Sequence, residues 1–216
     1  MTIVEIVKEL LPGLLVSVEI FLLTLCLALP LGFPLALGRM SKNRFLSQGV
    51  GVYISIVRGT PLMLQIIFVY FAPYIFFGLP LSRYPRLLAT VLAFGLNYAA
   101  YFAEIYRGGI LSIEKGQWEA AKALGMGRSE TFFRIILPQT LKRVLPAVGN
   151  EVITLVKDTS LAFTIAVTEM FTIAKQLSSA NTTMVPLIAA GVFYYVFNAL
   201  VAKTMGLAEK KFSYYD

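Results

Sequence analysis

The sequence predicts an all-α membrane protein, and its composition and the pattern of its charges both indicate this. Hydrophobic residues make up 57% of the 216 positions, charged residues make up only 14%, and the mean hydropathy is +0.74. A soluble domain of this size rarely hides so much apolar surface. The sequence also contains three long uncharged runs, at 20–38, 59–82 and 176–202. A helix needs about 20 mostly apolar residues to cross a bilayer, so each run indicates a membrane span.

The pattern predicts about five transmembrane helices in a single domain that covers the whole chain, 1–216. The predicted spans are residues 12–38, 47–77, 86–108, 142–166 and 185–207. Gly59-Thr60-Pro61 interrupts the second span, and Glu151, Lys157 and Asp158 fall within the fourth. Because charged groups are costly in hydrocarbon, we expect the fourth span to be broken or lined by water.

The distribution of basic residues predicts the orientation. Of the 19 lysines and arginines, 13 lie after the first span, between the third and fourth spans, or at the carboxyl-terminal end. The opposite side holds Lys8, Arg83, Arg86 and Lys175. Since cytoplasmic loops accumulate lysine and arginine, the amino terminus is predicted outside and the carboxyl terminus in the cytoplasm. This topology also accounts for the net charge of +7, so no nucleic-acid partner is predicted.

Several classes of function are excluded by the residues that the chain lacks. It contains no histidine, and Cys26 is its one cysteine, so a metal site built on histidines or thiolates is excluded. We find no pair of nucleophile and base, and therefore predict no catalytic residue. A G-x-x-x-x-G-K-[ST] phosphate loop is also absent.

The segment of about 109–141, between the third and fourth spans, is predicted to be cytoplasmic and to contain a short helix that ends at a glycine. Ala120, Ala123 and Leu124 share one face of that helix, where small side chains allow a partner to approach closely. The simpler alternative is a surface helix that only links two spans. The residues predicted to contact a partner are Trp118, Glu119, Ala120, Ala121, Ala123, Leu124 and Gly125.

This segment resembles the EAA loop of ABC-importer permeases. Glu119-Ala120-Ala121, Gly125, Ile135 and Leu137-Pro138 match the EAA pattern in both residue type and spacing. Three other segments resemble the polar amino-acid branch of that family, whose members carry histidine-, arginine- or glutamine-type substrates: 58–61, 101–109 and 157–161.

The resemblance implies a membrane-spanning permease subunit of a type I importer in a bacterial inner membrane. It implies that the EAA coupling helix docks on a separate ATP-binding-cassette subunit, which holds ATP and Mg, while this chain carries no cofactor. It further implies a second permease copy, identical or homologous, and an extracytoplasmic amino-acid-binding protein. Membrane lipid is the remaining partner.

Polar residues at membrane depth are the candidates for a substrate site, because such residues usually mark a pathway or an internal pair. The predicted set is Arg58, Thr60, Asn97, Tyr101, Glu104, Asp158, Thr159 and Ser160. Asn97 and Glu104 are seven residues apart and therefore share a helix face. The set offers both signs of charge, as a zwitterionic amino acid requires, and its acidic members favour a basic one. A glutamine-type substrate remains an alternative.

Two alternatives remain at this point. The charged members of the set could instead neutralise one another across helices, with Glu104 paired to Arg58 or Lys157. The chain could also be a secondary transporter or channel for small charged solutes, which would share the buried charges but would have no reason for the EAA helix.

Overall fold

The computed structural model describes residues 2–81 and 85–212, and every regular element in these ranges is helical. The α-helices are α1 Ile3–Arg39, α2 Arg44–Gly59, α3 Leu62–Phe77, α4 Arg86–Leu111, α5 Lys115–Ala123, α6 Arg128–Thr131, α7 Leu137–Asp158, α8 Met170–Asn181 and α9 Val185–Phe212. A π-helical turn, Phe132–Ile136, precedes α7, and a 3-10 helix, Thr159–Ile165, follows it. The predicted all-α membrane fold is confirmed.

Three helices, α1, α4 and α9, are long and apolar enough to cross a membrane singly. The predicted second span is two helices, because α2 and α3 meet at an angle of 113° around Thr60-Pro61. The predicted fourth span corresponds to α7, which has 22 residues but is more polar and ends at Asp158. The chain then continues in the narrower 3-10 helix, so the expected break in this span is present.

The most extensive contact between helices in the described part of the bundle is between α1 and α4, and small residues line it. The buried face of α1 repeats every three or four residues and includes Ala28, Gly32 and Ala36. A Cβ atom added to Gly32 would lie 2.8 Å from the Cβ of Phe102 on α4. Close approach of backbones through small side chains is the usual way in which membrane helices associate. The position of α4, which carries much of the candidate site, is therefore set by α1.

The short helix α8 was not predicted, and a buried carboxylate caps its first turn. Glu169 is fully buried and accepts hydrogen bonds from the backbone N–H groups of Phe171 (2.7 Å) and Thr172 (2.8 Å). The hydroxyl of Tyr194 on α9 donates a third, at 3.0 Å. These bonds satisfy the first amide groups of the helix, which have no partner within it. Glu169 therefore has a structural role.

The orientation in the membrane stays a prediction, and Arg83, one of the basic residues on which it depends, lies outside the described residues. With Cys26 replaced, a cysteine at the exposed Ser129 of α6 is expected to resist an impermeant thiol reagent added to intact cells. A cysteine at Ser179, which is exposed on α8, is the matched control and should react. Reaction at position 129 together with protection at position 179 would indicate the opposite orientation in the membrane.

Candidate functional sites

The two broken segments of the bundle lie close together. The 3-10 helix after α7 packs against α3, while α4 packs against both α3 and α7. The corner between α2 and α3, the middle of α4 and the end of α7 therefore face one another. Backbone that leaves the helical path inside a membrane is tolerated where it is buried in protein or lines a cavity. This arrangement brings most of the predicted site residues to one region.

Four side chains in this region form a row that begins with a cation and ends with a carboxylate. The guanidinium carbon of Arg58 lies 5.0 Å from the ring centroid of Tyr101, a distance typical of cation–π contact. The Tyr101 and Tyr98 rings are 6.3 Å apart, and the Tyr98 hydroxyl donates a 2.7 Å hydrogen bond to Asp158. We call these residues the Arg58–Asp158 row. Two opposite charges are thus held along one aromatic surface.

A second carboxylate, Glu151, adds to the acidic end of the row. It lies on α7 seven residues before Asp158, which places both on the same helix face. Glu151 is partly exposed and is within electrostatic range of Arg58 and Asp158. The set of site residues predicted from the sequence does not include Glu151. The structure instead gives this region two carboxylates, which suits a ligand that carries positive charge.

Glu104 has a partner different from the one expected. Its carboxylate forms a salt bridge with Arg107, with 2.7 Å between Arg107 Nη2 and Glu104 Oε2, and Arg107 Nε donates to both oxygens. The alternative stated above, in which Glu104 pairs with Arg58 or Lys157 across helices, is thus replaced by an ion pair within α4. The pair is three residues apart on one helix, so it forms without help from other elements. Its charge is balanced locally before any ligand arrives.

Asn97 holds the corner between α2 and α3 in place. It is only 5% exposed, and its amide nitrogen donates a 3.0 Å hydrogen bond to Gln65 Oε1. Gln65 Nε2 in turn donates to the carbonyl of Val57 (2.8 Å) and to the hydroxyl of Thr60 (2.9 Å). The two amides thus satisfy groups that the broken helix leaves free. In this structure Asn97 acts on the site through Gln65.

The remaining hydroxyls of the predicted set differ in their accessibility. Thr60 is exposed, and its hydroxyl donates to the carbonyl of Ile56 (2.9 Å) and accepts from Gln65, which leaves one lone pair open to a ligand or water. Ser160 is partly exposed and donates to Lys157 (2.8 Å). Thr159 is fully buried, with its hydroxyl bound to the Val156 carbonyl. Thr60 and Ser160 therefore face accessible space, whereas Thr159 packs inside the bundle.

Replacing Asn97 by leucine is expected to lower the thermal midpoint of the purified protein, because the Gln65 amide loses its partner. A part-buried polar group left without a partner costs about 1–3 kcal/mol. Asn150→Leu on α7, where the asparagine is exposed, is the matched control and should cost little. The measurement is thermal unfolding of the protein in detergent, monitored by differential scanning fluorimetry. Equal midpoints for the two variants would mean that Asn97 does not hold the corner.

The second candidate site is the exposed face of α5. Ala120, Ala123 and Leu124 are all exposed, and Leu124 retains 81% of its accessible surface. Ala121, on the opposite side, is 1% exposed. We call Ala120, Ala123 and Leu124 the docking face. Glu119 is exposed next to it, so the face combines an apolar patch with one carboxylate.

Two features fix α5 to the rest of the chain. Trp118 packs against a buried cluster of Ile110, Ile113 and Ile136, which joins the helix to the ends of α4 and α7. At the other end Gly125 has φ +78°, the left-handed conformation expected from its position after the helix. A rigid helix with an anchored inner side and an open outer side can transmit force from a docked partner to α4 and α7.

Sequence reasoning missed three residues in the first site: Gln65, Tyr98 and Glu151. Gln65 was not selected because it lies in an uncharged run. Tyr98 was not selected because tyrosine is common in membrane helices. Glu151 could have been found by its seven-residue spacing from Asp158. Tyr98 is next to Asn97 in the chain, but Asp158, to which the Tyr98 hydroxyl donates its hydrogen bond, lies 60 residues away.

Comparison with known proteins identifies the family of the chain. A family model described as the inner membrane component of binding-protein-dependent transport systems matches residues 28–214. The nopaline transport system permease protein NocM of Agrobacterium fabrum is 39% identical over 217 residues, covering 95% of this chain and 90% of that protein. The L-cystine transport system permease protein TcyB of Bacillus subtilis is 37% identical over 205 residues, covering 94% and 86%.

A solved structure described as an amino acid ABC transporter with histidines has the same fold. It superimposes with a TM-score of 0.88 at 30% identity, covering 98% of this chain and 100% of that one. The fold and these similarities thus define a multi-pass permease of the ABC-importer class. The chain belongs to the family of binding-protein-dependent transport system inner membrane components, and it is the permease subunit of an amino-acid ABC importer. The resemblance stated from the EAA segment is confirmed.

Proposed function

We propose that this permease moves a basic L-amino acid into the cytoplasm, driven by ATP hydrolysis on a separate subunit. The observation that carries the proposal is the Arg58–Asp158 row, with a cation at one end and Asp158 and Glu151 at the other. A basic amino acid carries a carboxylate at one end and a cationic side chain at the other. The charges of the ligand and of the row are therefore complementary.

In this proposal the carboxylate of the ligand binds at the corner between α2 and α3. Arg58 supplies a cation, and the exposed Thr60 hydroxyl supplies a further donor when its proton turns from the Ile56 carbonyl to the ligand. The first turn of α3 has no side-chain cap after Pro61, so its amide groups can donate to an anion. Broken helices bind the charged groups of substrates in this way in other transporters.

The cationic side chain of the ligand binds at the acidic end. The Tyr98 hydroxyl fixes one oxygen of Asp158, which leaves the remaining lone pairs for the ligand, with Glu151 on the same face. Ser160, partly exposed two residues further on, can add a hydroxyl contact. Glu104 contributes less to binding the cationic side chain of the ligand, because Arg107 already balances its charge. Tyr101 forms the aromatic surface between the two ends.

We further propose that the docking face of α5 binds the ATP-binding-cassette subunit, which holds the ATP and Mg of the complex. The exposed patch of Ala120, Ala123 and Leu124 on an anchored helix supports this, because a chain that worked alone would gain nothing from it. The complex also contains a second permease copy and an extracytoplasmic binding protein. Closure of the ATPase subunits then moves α4 and α7, which carry the substrate site.

A competition panel with the reconstituted complex tests the substrate class. Uptake of labelled arginine into proteoliposomes is measured against unlabelled arginine, lysine, histidine, glutamine and cystine. The proposal predicts that the three basic amino acids compete at least about tenfold better than the two others, as expected for one charge-assisted hydrogen bond. Strongest competition by glutamine or cystine would overturn the basic class while leaving the amino-acid importer intact.

A further inference from the structure

Helix α2 carries Arg58, but few of its side chains are buried. Within the part of the chain that the structure describes, Ile54 is the one residue of α2 that is buried. It belongs to a small cluster whose other buried members are alanines: Ala36 of α1 and Ala100 and Ala103 of α4. Helices resist sliding when ridges of side chains on one fill grooves on the other, and alanines form shallow ridges. Apolar packing therefore does little to fix α2 in position.

Polar contacts hold the two ends of α2. At its beginning, the guanidinium of Arg39 donates to the carbonyl (3.3 Å) and the hydroxyl (3.2 Å) of Ser47, whose hydroxyl donates to the Arg39 carbonyl (2.7 Å). At its end, the amide of Gln65 binds the carbonyl of Val57 and links it to Asn97 of α4. The first contact lies in the first turn of α2, and the second reaches α4 only by way of α3.

The side chain of Tyr53, in the middle of α2, makes a direct connection to α4. Its hydroxyl donates a 2.6 Å hydrogen bond to the carbonyl of Leu96, which is next to Asn97 in the chain. A carbonyl oxygen has two lone pairs, so Leu96 can accept this bond in addition to one within its own helix. The Tyr53 ring packs against the alanine cluster and is partly buried, and away from water a hydrogen bond is electrostatically stronger. This bond therefore attaches α2 to α4 at a defined point.

The position of Tyr53 relative to Arg58 gives this bond a consequence for the site. Tyr53 precedes Arg58 by five residues, about 7.5 Å along the helix. One attachment leaves a helix free to swing, whereas Tyr53 together with the corner held by Gln65 fixes both the direction and the rotation of the last turns of α2. That rotation sets the direction of the Arg58 side chain, whose guanidinium carbon lies 5.0 Å from the centroid of the Tyr101 ring.

We propose that Tyr53 is a positioning residue for Arg58. By its hydrogen bond to Leu96 it holds α2 so that the guanidinium stays over the Tyr101 ring and faces the carboxylate of the amino acid. In this role Tyr53 acts through Arg58 and does not touch the ligand. A guanidinium that is oriented in advance loses less freedom on binding, which raises affinity. This inference rests on the proposed function, in which Arg58 receives the carboxylate of the ligand.

A double-mutant cycle tests the role of Tyr53. Equilibrium binding of labelled arginine is measured on the permease in complex with its ATPase subunit in nanodiscs, without the binding protein. Tyr53→Phe should weaken binding about threefold to tenfold, as expected for one neutral hydrogen bond, and Arg58→Gln about tenfold to a hundredfold, as expected for a charge-assisted one. Because Tyr53 acts through Arg58, the double variant should bind no more weakly than Arg58→Gln alone. Tyr195→Phe, which removes a hydroxyl from an exposed tyrosine of α9, is the matched control and should bind normally.

The outcomes separate the role of Tyr53 from the proposed function. Normal arginine binding by Arg58→Gln would overturn the proposed place of the ligand carboxylate, and the role of Tyr53 with it. Weaker binding by Arg58→Gln together with normal binding by Tyr53→Phe would overturn the role of Tyr53 alone. Additive losses in the double variant would do the same, because they would mean that Tyr53 acts independently of Arg58. Fewer binding sites at unchanged affinity in Tyr53→Phe would also overturn it, because Tyr53 would then act on folding.

A second measurement does not depend on the ligand, and it keeps the test valid if Arg58→Gln fails to assemble. Hydrogen–deuterium exchange of the backbone amides of α2 in the complex is followed by mass spectrometry. Loss of the Tyr53 hydroxyl should speed up exchange in the second half of α2, because local opening becomes easier there. Tyr195→Phe should leave this exchange unchanged. Equal exchange of α2 in Tyr53→Phe and in the unmodified complex would contradict the proposal.

Discussion

Replacing Gly125 by valine is expected to abolish transport-linked ATP hydrolysis while the permease still inserts into the membrane. Gly125 has φ +78°, and a β-branched residue is strongly disfavoured there, by about 1–2 kcal/mol or more. No atom lies within 4 Å of the added Cβ, so the effect comes from the backbone alone. The strain would distort the end of α5 and with it the docking face. The measurement is ATPase activity of the assembled complex with saturating binding protein and substrate.

Gly127→Val is the matched control for this variant. Gly127 lies two residues further on with φ −68° and ψ 155°, a conformation that valine adopts readily, and its added Cβ also meets open space. This variant should retain activity. Glu119→Lys tests the same surface by reversing a charge next to the docking face, and it should weaken association with the ATPase subunit. Normal transport in both Gly125→Val and Glu119→Lys would remove α5 from the mechanism.

Asp158→Asn is expected to lower affinity for a basic amino acid by about tenfold to a hundredfold. The change keeps the shape of the side chain and an oxygen that can still accept the hydrogen bond from Tyr98, but it removes the negative charge. A charge-assisted hydrogen bond contributes about 1.5–3 kcal/mol, which gives this range. Substrate-independent ATPase activity should change little, because the variant acts on binding. The measurement is the concentration of arginine that gives half-maximal uptake.

Glu104→Gln is the matched carboxylate control. From the sequence alone, Glu104 and Asp158 are both candidates to receive the cationic part of the ligand. The salt bridge with Arg107 instead predicts a smaller loss of affinity for this variant than for Asp158→Asn. The reverse order, with a large loss for Glu104→Gln and none for Asp158→Asn, would move the acidic end of the site from α7 to α4.

The membrane helices and the coupling helix could be predicted because the signals for them are local. Runs of uncharged residues predict α1, α3 and α9 directly, since the cost of a charge in hydrocarbon does not depend on the rest of the fold. The end of α5 could be predicted from Gly125, since glycine is the residue that most readily adopts a positive φ. Both features follow from a few neighbouring residues.

The helix α8 and the bend between α2 and α3 depend on distant contacts, which explains why the sequence did not define them. Gly59-Thr60-Pro61 predicts an interruption, but the 113° bend depends on Gln65 and on its partner Asn97 from another helix. Helix α8 has only 12 residues and no long apolar run. Its first turn is stabilised by Glu169, whose burial depends on α9.

The residues of the candidate substrate site likewise divide into those with a local signal and those that depend on distant contacts. Arg58, Tyr101 and Asp158 could be selected because charged and aromatic groups at membrane depth are conspicuous, and the structure brings them into one row. Glu104 was predicted as a substrate residue, with a partner on another helix as the alternative, and its ion pair with Arg107 was missed although the spacing of three residues is visible in the sequence. Tyr98 was missed because its contact with Asp158 exists only after α4 and α7 have packed.

The most direct test of the central claim is uptake of labelled arginine into proteoliposomes that contain this permease, its binding protein and its ATPase subunit. The account predicts accumulation against a gradient when ATP is supplied on the side of the docking face. It predicts none when the ATPase subunit is omitted or when ATP is replaced by a non-hydrolysable analogue. Equal accumulation without the ATPase subunit would mean that the chain transports alone, and would contradict the account.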